Sequence, residues 1–271
     1  MVVAGIDGCH SGWIAVKLDE TDVTTVTKEN FTDLWDECTY CESVLVDVPI
    51  GLTSAQQGRE KNYKRDCDTL ARKRIASSSS VVQVPVREAV DTYHDCESRE
   101  PDQVVESVID KQIELTGKSL TSQARSLLPK IAEVDEFVRN HQSVDELSTV
   151  LFEGHPELCF TTLNGGEPLE SSKSCSHSDA GLAERYEILN GVFEGDTATE
   201  LWKALGDTAD AEVTFDDVLD AFALALAARE PVATLPESSE ADTDPETDWP
   251  IVMAYAPPSA FDGNSPENGS V

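Results

Sequence analysis

Basic side chains are the scarce commodity in this chain. Lysine and arginine number 20 against 52 aspartates and glutamates, a formal charge of -32 over 271 residues. Such an imbalance repels itself unless counter-ions screen it. At molar salt the Debye length shrinks to roughly 3 Å, so the composition points to a salt-rich cytoplasm of the kind found in halophilic archaea. In dilute buffer it would argue against nucleic acid as a partner; at high salt that argument weakens. No basic start followed by an apolar stretch marks a secretory leader. No run approaches the ~18 apolar residues of a membrane span. Seven scattered cysteines do not form a disulfide framework. Cys38 and Cys41 make one CxxC pair without a matching second pair, which suits thiols in a reducing compartment better than zinc. Internal repeats are missing too.

What is present begins with strands. Val2 to Ile6 predicts a buried strand ending at Asp7, Gly8 to Gly12 a loop, and Trp13 to Leu18 a second strand. Val23 to Thr27 predicts a third, Phe31 to Cys38 a short helix, and Ser43 to Val46 a fourth strand ending at Asp47. The first and fourth are continuous apolar runs, which belong to a sheet covered on both faces. From 51 to about 148 the chain turns polar and helical, with the clearest helices at Gln103–Leu115 and Pro129–Asn140. Pro129 is placed in a first turn, ahead of an apolar stripe of Ile131, Val134, Phe137 and Val138. This segment is expected to cap the sheet. A fifth strand follows at Val150–Phe152, then helices near 179–190 and 197–206 and a late strand at Ile251–Tyr255. Residues 236–249 are expected to loop, and 257–271 to form a disordered tail, leaving a single domain over 1–256.

Asp217-Val-Leu-Asp220-Ala is the most telling stretch. It opens an apolar run, Phe222 to Ala228, with two carboxylates on one helical face. A helix apolar all round is normally buried, and buried charge needs a partner or a metal. Asp7 and Asp47 each end an apolar strand, so four carboxylates are candidates for one site. Two divalent ions about 3.5–4 Å apart can clamp the attacking and leaving oxygens of a phosphodiester. Mg²⁺ or Mn²⁺, which favour oxygen ligands, suit such a set. Asp217 also stands three residues after Thr214 and is expected to join a helix-capping arrangement.

That placement of carboxylates on a first strand, a fourth strand and a late helix resembles the RNase H-like superfamily. A closer resemblance, from Gly5 to about Pro257, is to domain of unknown function 429 (DUF429), described as predicted RNase H-like nucleases. It rests on Gly5-Ile-Asp-Gly-Cys9 with Gly12-Trp13, Asp47-Val-Pro-Ile-Gly-Leu52 and Arg65-Asp-Cys-Asp-Thr-Leu-Ala-Arg72. It continues through Ser77–Ser80 with Pro85 and Arg87, Pro129-Lys-Ile-Ala-Glu-Val-Asp135, His155-Pro-Glu157, Lys173 with Arg185, and Asp217-Val-Leu-Asp-Ala221. The resemblance implies an α/β fold: a mixed central sheet with a β-β-β-α-β start, flanked by helices, with the helical insertion between the fourth and fifth strands. It also implies a metal-dependent nuclease acting on DNA or RNA.

Other candidates complete the set. His155 can serve as a general base and Glu157 as a further acid, in the first turn of a helix begun by Pro156. Seven cations lie between Arg59 and Arg74, a local excess suited to a polyanion. Arg65, Arg72, Arg87 and Lys130 are expected to hold substrate phosphates, although Lys130 and Glu133 at i, i+3 spacing also read as a solvated face. Two other functions compete: a nucleotide-binding phosphotransferase of the actin-like or sugar-kinase type, and a non-catalytic nucleic-acid-binding module. The former requires a second phosphate loop, and the chain has no convincing copy of one.

Overall fold

The computed structural model describes residues 1–96, 100–170, 179–230 and 232–260. Three antiparallel strands come first: β1 (Val2–Cys9), β2 (Gly12–Asp19) and β3 (Asp22–Lys28). After α1 (Phe31–Asp36), strand β4 (Ser43–Val46) returns parallel to β1, and β5 (Leu151–Glu153) lies parallel to β4. The sheet order is β3-β2-β1-β4-β5. The first hairpin is tighter than expected. Asp7 lies inside β1, paired with Ile14, and the turn is confined to His10 and Ser11 between Cys9 and Gly12.

Alternation along the strands distributes side chains between two cores. Ala4, Ile6, Trp13, Ala15, Val44 and Val46 face one layer. Val3, Ile14, Val16, Leu18 and Leu45 face the other. The insertion between β4 and β5 builds this first layer together with Phe31, Leu34 and Trp35 of α1, while its Cys67 and Ala71 join a separate small core with Leu158. It comprises α2 (Ala55–Gly58), α3 (Asp66–Ala71), α4 (Arg87–Asp95), α5 (Pro101–Thr116), α6 (Ser122–Asn140) and α7 (Val144–Leu147). Helix α6 starts seven residues before the expected Pro129, because Thr121 caps it by accepting from the Ala124 N–H at 3.1 Å. Pro129 therefore sits inside the helix. The anticipated stripe is present: Ile131, Val134 and Val138 are buried, and Phe137 packs edge-on to Phe31 at 5.1 Å.

The opposite layer holds α8 (Pro156–Leu163), α9 (Asp179–Val192), α10 (Thr197–Asp207) and α11 (Phe215–Ala228). Every residue of α11 from Val218 to Ala228 is buried, including Asp220. The helix crosses β1 at Gly5. A Cβ there would stand 2.1 Å from the Ala221 carbonyl oxygen and 2.3 Å from the Ala225 nitrogen. Glycine on the strand and alanine on the helix together permit this approach, and it draws Asp217 and Asp220 toward the end of β1.

The expected late strand is shorter, β7 (Met253–Tyr255), and pairs with β6 (Ala233–Leu235) as a separate ribbon. The acidic loop before it has a structural job. Asp244, wholly buried, accepts from the Leu52 N–H at 2.6 Å and pairs with Arg87. Six described cysteines are free thiols, five of them buried; Cys38 and Cys41 lie in the core at the end of α1. Among the described residues no helix is long and apolar enough to cross a membrane. Residues 261–271 of the expected tail, and Lys173, lie outside the described part.

Candidate active-site cleft

A cleft of about 440 Å³ opens at the ends of the parallel strands. Register explains why acids collect there. Ile6, Val46 and Glu153 stand side by side on β1, β4 and β5, and the Asp47 N–H donates to the Ile6 carbonyl at 2.9 Å. Neighbouring strands are about 4.8 Å apart, so Asp7 and Asp47, one residue further on, are neighbours. By strand alternation both belong to the face that carries α11. Both line the cleft, with Gly8, Lys130, Glu153 and His155.

The two helical aspartates arrive from above that face. Thr214 and Asp217 form a capping box, in which Asp217 accepts from the Thr214 N–H at 2.8 Å. Burial raises the Asp217 pKa, against the lowering effect of Thr214 and of the nearby Lys130 charge. Neither helical aspartate is among the residues that line the cleft, and shared neighbours link the four in two pairs. The Lys130 ammonium is influenced by the charges of both Asp7 and Asp217. The Cys159 thiol on α8, raised to about 12 chiefly by burial, is influenced by both Asp47 and Asp220. Among the described residues these aspartates are not packed within 4.8 Å of one another as a trio.

The trio that does meet at 4.8 Å is Cys67, Asp68 and Glu153. A side-chain cation already occupies it. Arg65, buried, forks onto Glu153 at 2.6 and 2.7 Å and onto Asp68 at 2.6 Å, while Glu153 also accepts from the Ile50 N–H at 2.7 Å. Burial, reinforced by the Asp68 charge, raises Glu153 to about 7 in spite of Arg65, and burial holds the Cys67 thiol well above its ordinary value. A protonated thiol beside a committed guanidinium is a poor metal ligand. Glu153 and Asp68 escaped the sequence reading, although Glu153 obeys the rule that singled out Asp7 and Asp47: an acid closing an apolar strand.

Several expected roles move. Arg65 lines the cleft, and its guanidinium is paired with Asp68 and Glu153, so it braces the wall. Arg72 donates to the Val81 carbonyl at 2.6 Å and thereby shapes the Ser80–Val82 wall. Arg87 lies outside the cleft, buried between Asp135 at 2.8 Å and Asp244. Within the dense basic stretch two cations answer acids: Arg65, and Lys61 at 2.7 Å from Asp66 and 2.6 Å from Asp242, while Arg74 stacks on the Tyr255 ring at 4.9 Å. Glu157 is buried, accepts from the Ser80 hydroxyl at 3.3 Å and pairs with Arg185 at 3.6 Å, outside the cleft lining. His155 does line the cleft, at the N-terminus of α8, with Pro156 in the first turn as expected.

Lys130 and Glu133 correct the expectation of a solvated pair. Glu133 accepts from the Trp13 indole N–H at 3.0 Å and from the Phe31 N–H. Lys130 lays its stem over Gly8, donates to the Gly12 carbonyl and sets its ammonium 4.2 Å from the Trp13 ring centre. Burial lowers its pKa against the attraction of nearby acids.

Sheet and cleft define a class first: a mixed α/β protein of RNase H-like architecture, with acids gathered at the ends of its central strands. The chain belongs to the family described as Protein of unknown function (DUF429), which it matches over residues 5–240. No curated protein and no solved structure matches it.

Proposed function

We propose that this protein is a divalent-metal-dependent nuclease, hydrolysing phosphodiester bonds at the cleft, in a cytoplasm of high salt such as that of a halophilic archaeon. The adjacency of Asp7 and Asp47 in the cleft, with Asp217 and Asp220 on the helix packed over the same face of the sheet, supports the reading. Each sits on or directly after a strand or helix, and all four offer hard oxygen ligands suited to Mg²⁺ or Mn²⁺. Asp217, with its pKa raised mainly by burial, is ionised more readily with a cation beside it. Bound ions would supply an activated water and charge stabilisation at the departing oxygen. His155, on the cleft wall, is placed to take up or return a proton at the reacting oxygens. Lys130 provides a fixed positive charge beside Asp7 and Asp217 that can neutralise a substrate phosphate.

The test is cleavage of labelled DNA, RNA, hybrid and branched substrates in molar KCl, with Mg²⁺, Mn²⁺ or chelator. Metal-dependent cutting that is lost in Asp7→Asn is the expected result. Oligonucleotide binding that is indifferent to metal, with no cutting, would establish the non-catalytic alternative instead.

A further inference from the structure

We propose that the cleft takes the end of a single strand, one terminal nucleotide at a time, and does not act within a closed chain. The inference rests on the nuclease reading and adds the substrate class. Its ground is the shape of the wall opposite the carboxylates. Ser122, Gln123, Ser126, Leu127 and Lys130 of α6 all line the cleft. Their spacing places them along one face of the helix, over about 12 Å at 1.5 Å per residue. At the far end the wall meets the sheet: the Lys130 stem packs on Gly8, where an added Cβ would lie 2.6 Å from Lys130 Cδ and Cε. Trp13 and the Gly12 carbonyl hold the ammonium in that position. A strand entering beside Ser122 is therefore stopped at Lys130, next to Asp7.

Size and chemistry agree with a single unit. About 440 Å³ lies at the lower end of small-ligand sites. Long nucleic acids are held by many phosphate contacts, and here Arg65 is already paired with Asp68 and Glu153. Val81, Val82 and Leu127 present apolar surface for the face of one base, while Ser122, Gln123 and Ser126 offer hydroxyl and amide groups to its edge or sugar. The step is hydrolysis of the terminal phosphodiester: water adds to phosphorus, the bond to the 3′-oxygen breaks, and that oxygen gains the proton.

The experiment compares one labelled single-stranded oligonucleotide in linear and circular form, in molar KCl with Mn²⁺. Stepwise shortening of the linear form, with the circle intact, is expected. Opening of the circle at a rate within a few-fold of the linear form would overturn this inference and leave the nuclease reading standing. Cutting of neither form, with Mn²⁺ bound, would overturn both. Ser126 is exposed on α6, so Ser126→Trp should fold. It should narrow the slot and lower kcat/KM for the linear strand at least tenfold with an unchanged melting temperature. An unchanged kcat/KM in that folded variant would equally reject the assignment.

Discussion

The Lys130 ammonium lies 4.2 Å from the centre of the Trp13 ring, while Glu133, one turn further along α6, accepts the Trp13 indole proton at 3.0 Å. One indole thus anchors the insertion to the sheet and fixes a cation beside the acidic cluster. Replacing Lys130 by methionine keeps much of the packing and removes the charge. Apparent Mn²⁺ affinity should tighten a few-fold, because a competing cation is lost from beside Asp7 and Asp217, while turnover should fall. Calorimetry with Mn²⁺ and the Trp13 contribution to fluorescence provide the readouts. Unchanged metal affinity would detach Lys130 from the cluster.

If the four aspartates share ions, metal should stabilise the native protein. At a hundred times the dissociation constant the gain is about 2.7 kcal/mol. Melting temperature should therefore rise with Mn²⁺ in the wild-type protein and barely move in Asp7→Asn, Asp47→Asn or Asp220→Asn. Each replacement should also lower activity at least about 100-fold, the upper range for disturbing even outer-shell partners. Glu153→Gln, which disturbs the Arg65 cluster, should retain the Mn²⁺ shift. A shift abolished there and retained in Asp7→Asn would transfer the metal to the other trio.

Gly5 tolerates no side chain. A Cβ at that position meets backbone atoms of α11 at 2.1 and 2.3 Å, so relief requires the whole helix to lift. Gly5→Val should cost more than the about 1–3 kcal/mol of ordinary overpacking, and Gly5→Ala should also destabilise, as denaturant unfolding would show.

The Arg87 cluster predicts an acid-side pH effect. Burial opposes the Asp135 charge, but His94 and the guanidinium groups of Arg87 and Arg139 more than offset it, so its pKa falls below the ordinary value. The folded state then releases this proton more readily than the unfolded state. Its contribution is complete above about pH 3.9 and is lost as pH falls through the lower folded value. Asp135→Asn should be less stable at pH 6, and its deficit should narrow toward pH 2–3. A deficit independent of pH would refute that origin. Arg87→Met, which strands Asp135 and Asp244 in the interior, should cost about 3–5 kcal/mol.

Local pattern carried most of the scaffold. Continuous apolar runs located β1 and β4, and the alternation between Val3 and Ala4, or Val44 and Leu45, already implied two covered faces. The Thr214–Asp217 cap and the buried Ala-rich α11 were likewise legible, because capping and an unbroken apolar run are both local features. Helix α6 shows the limit: Pro129 looked like a beginning, but the Thr121 cap and a stripe packed on β1, β2 and α1 outweighed one missing N–H.

By itself the sequence picked out Asp7 and Asp47, since an aspartate closing an apolar strand declares its position through burial cost alone. Only the tertiary structure decided which cations answer which acids. Arg65 with Glu153 and Arg87 with Asp244 join residues 88 and 157 positions apart. Charge pairing depends on distances of a few ångströms in space, and composition along the chain carries no record of them.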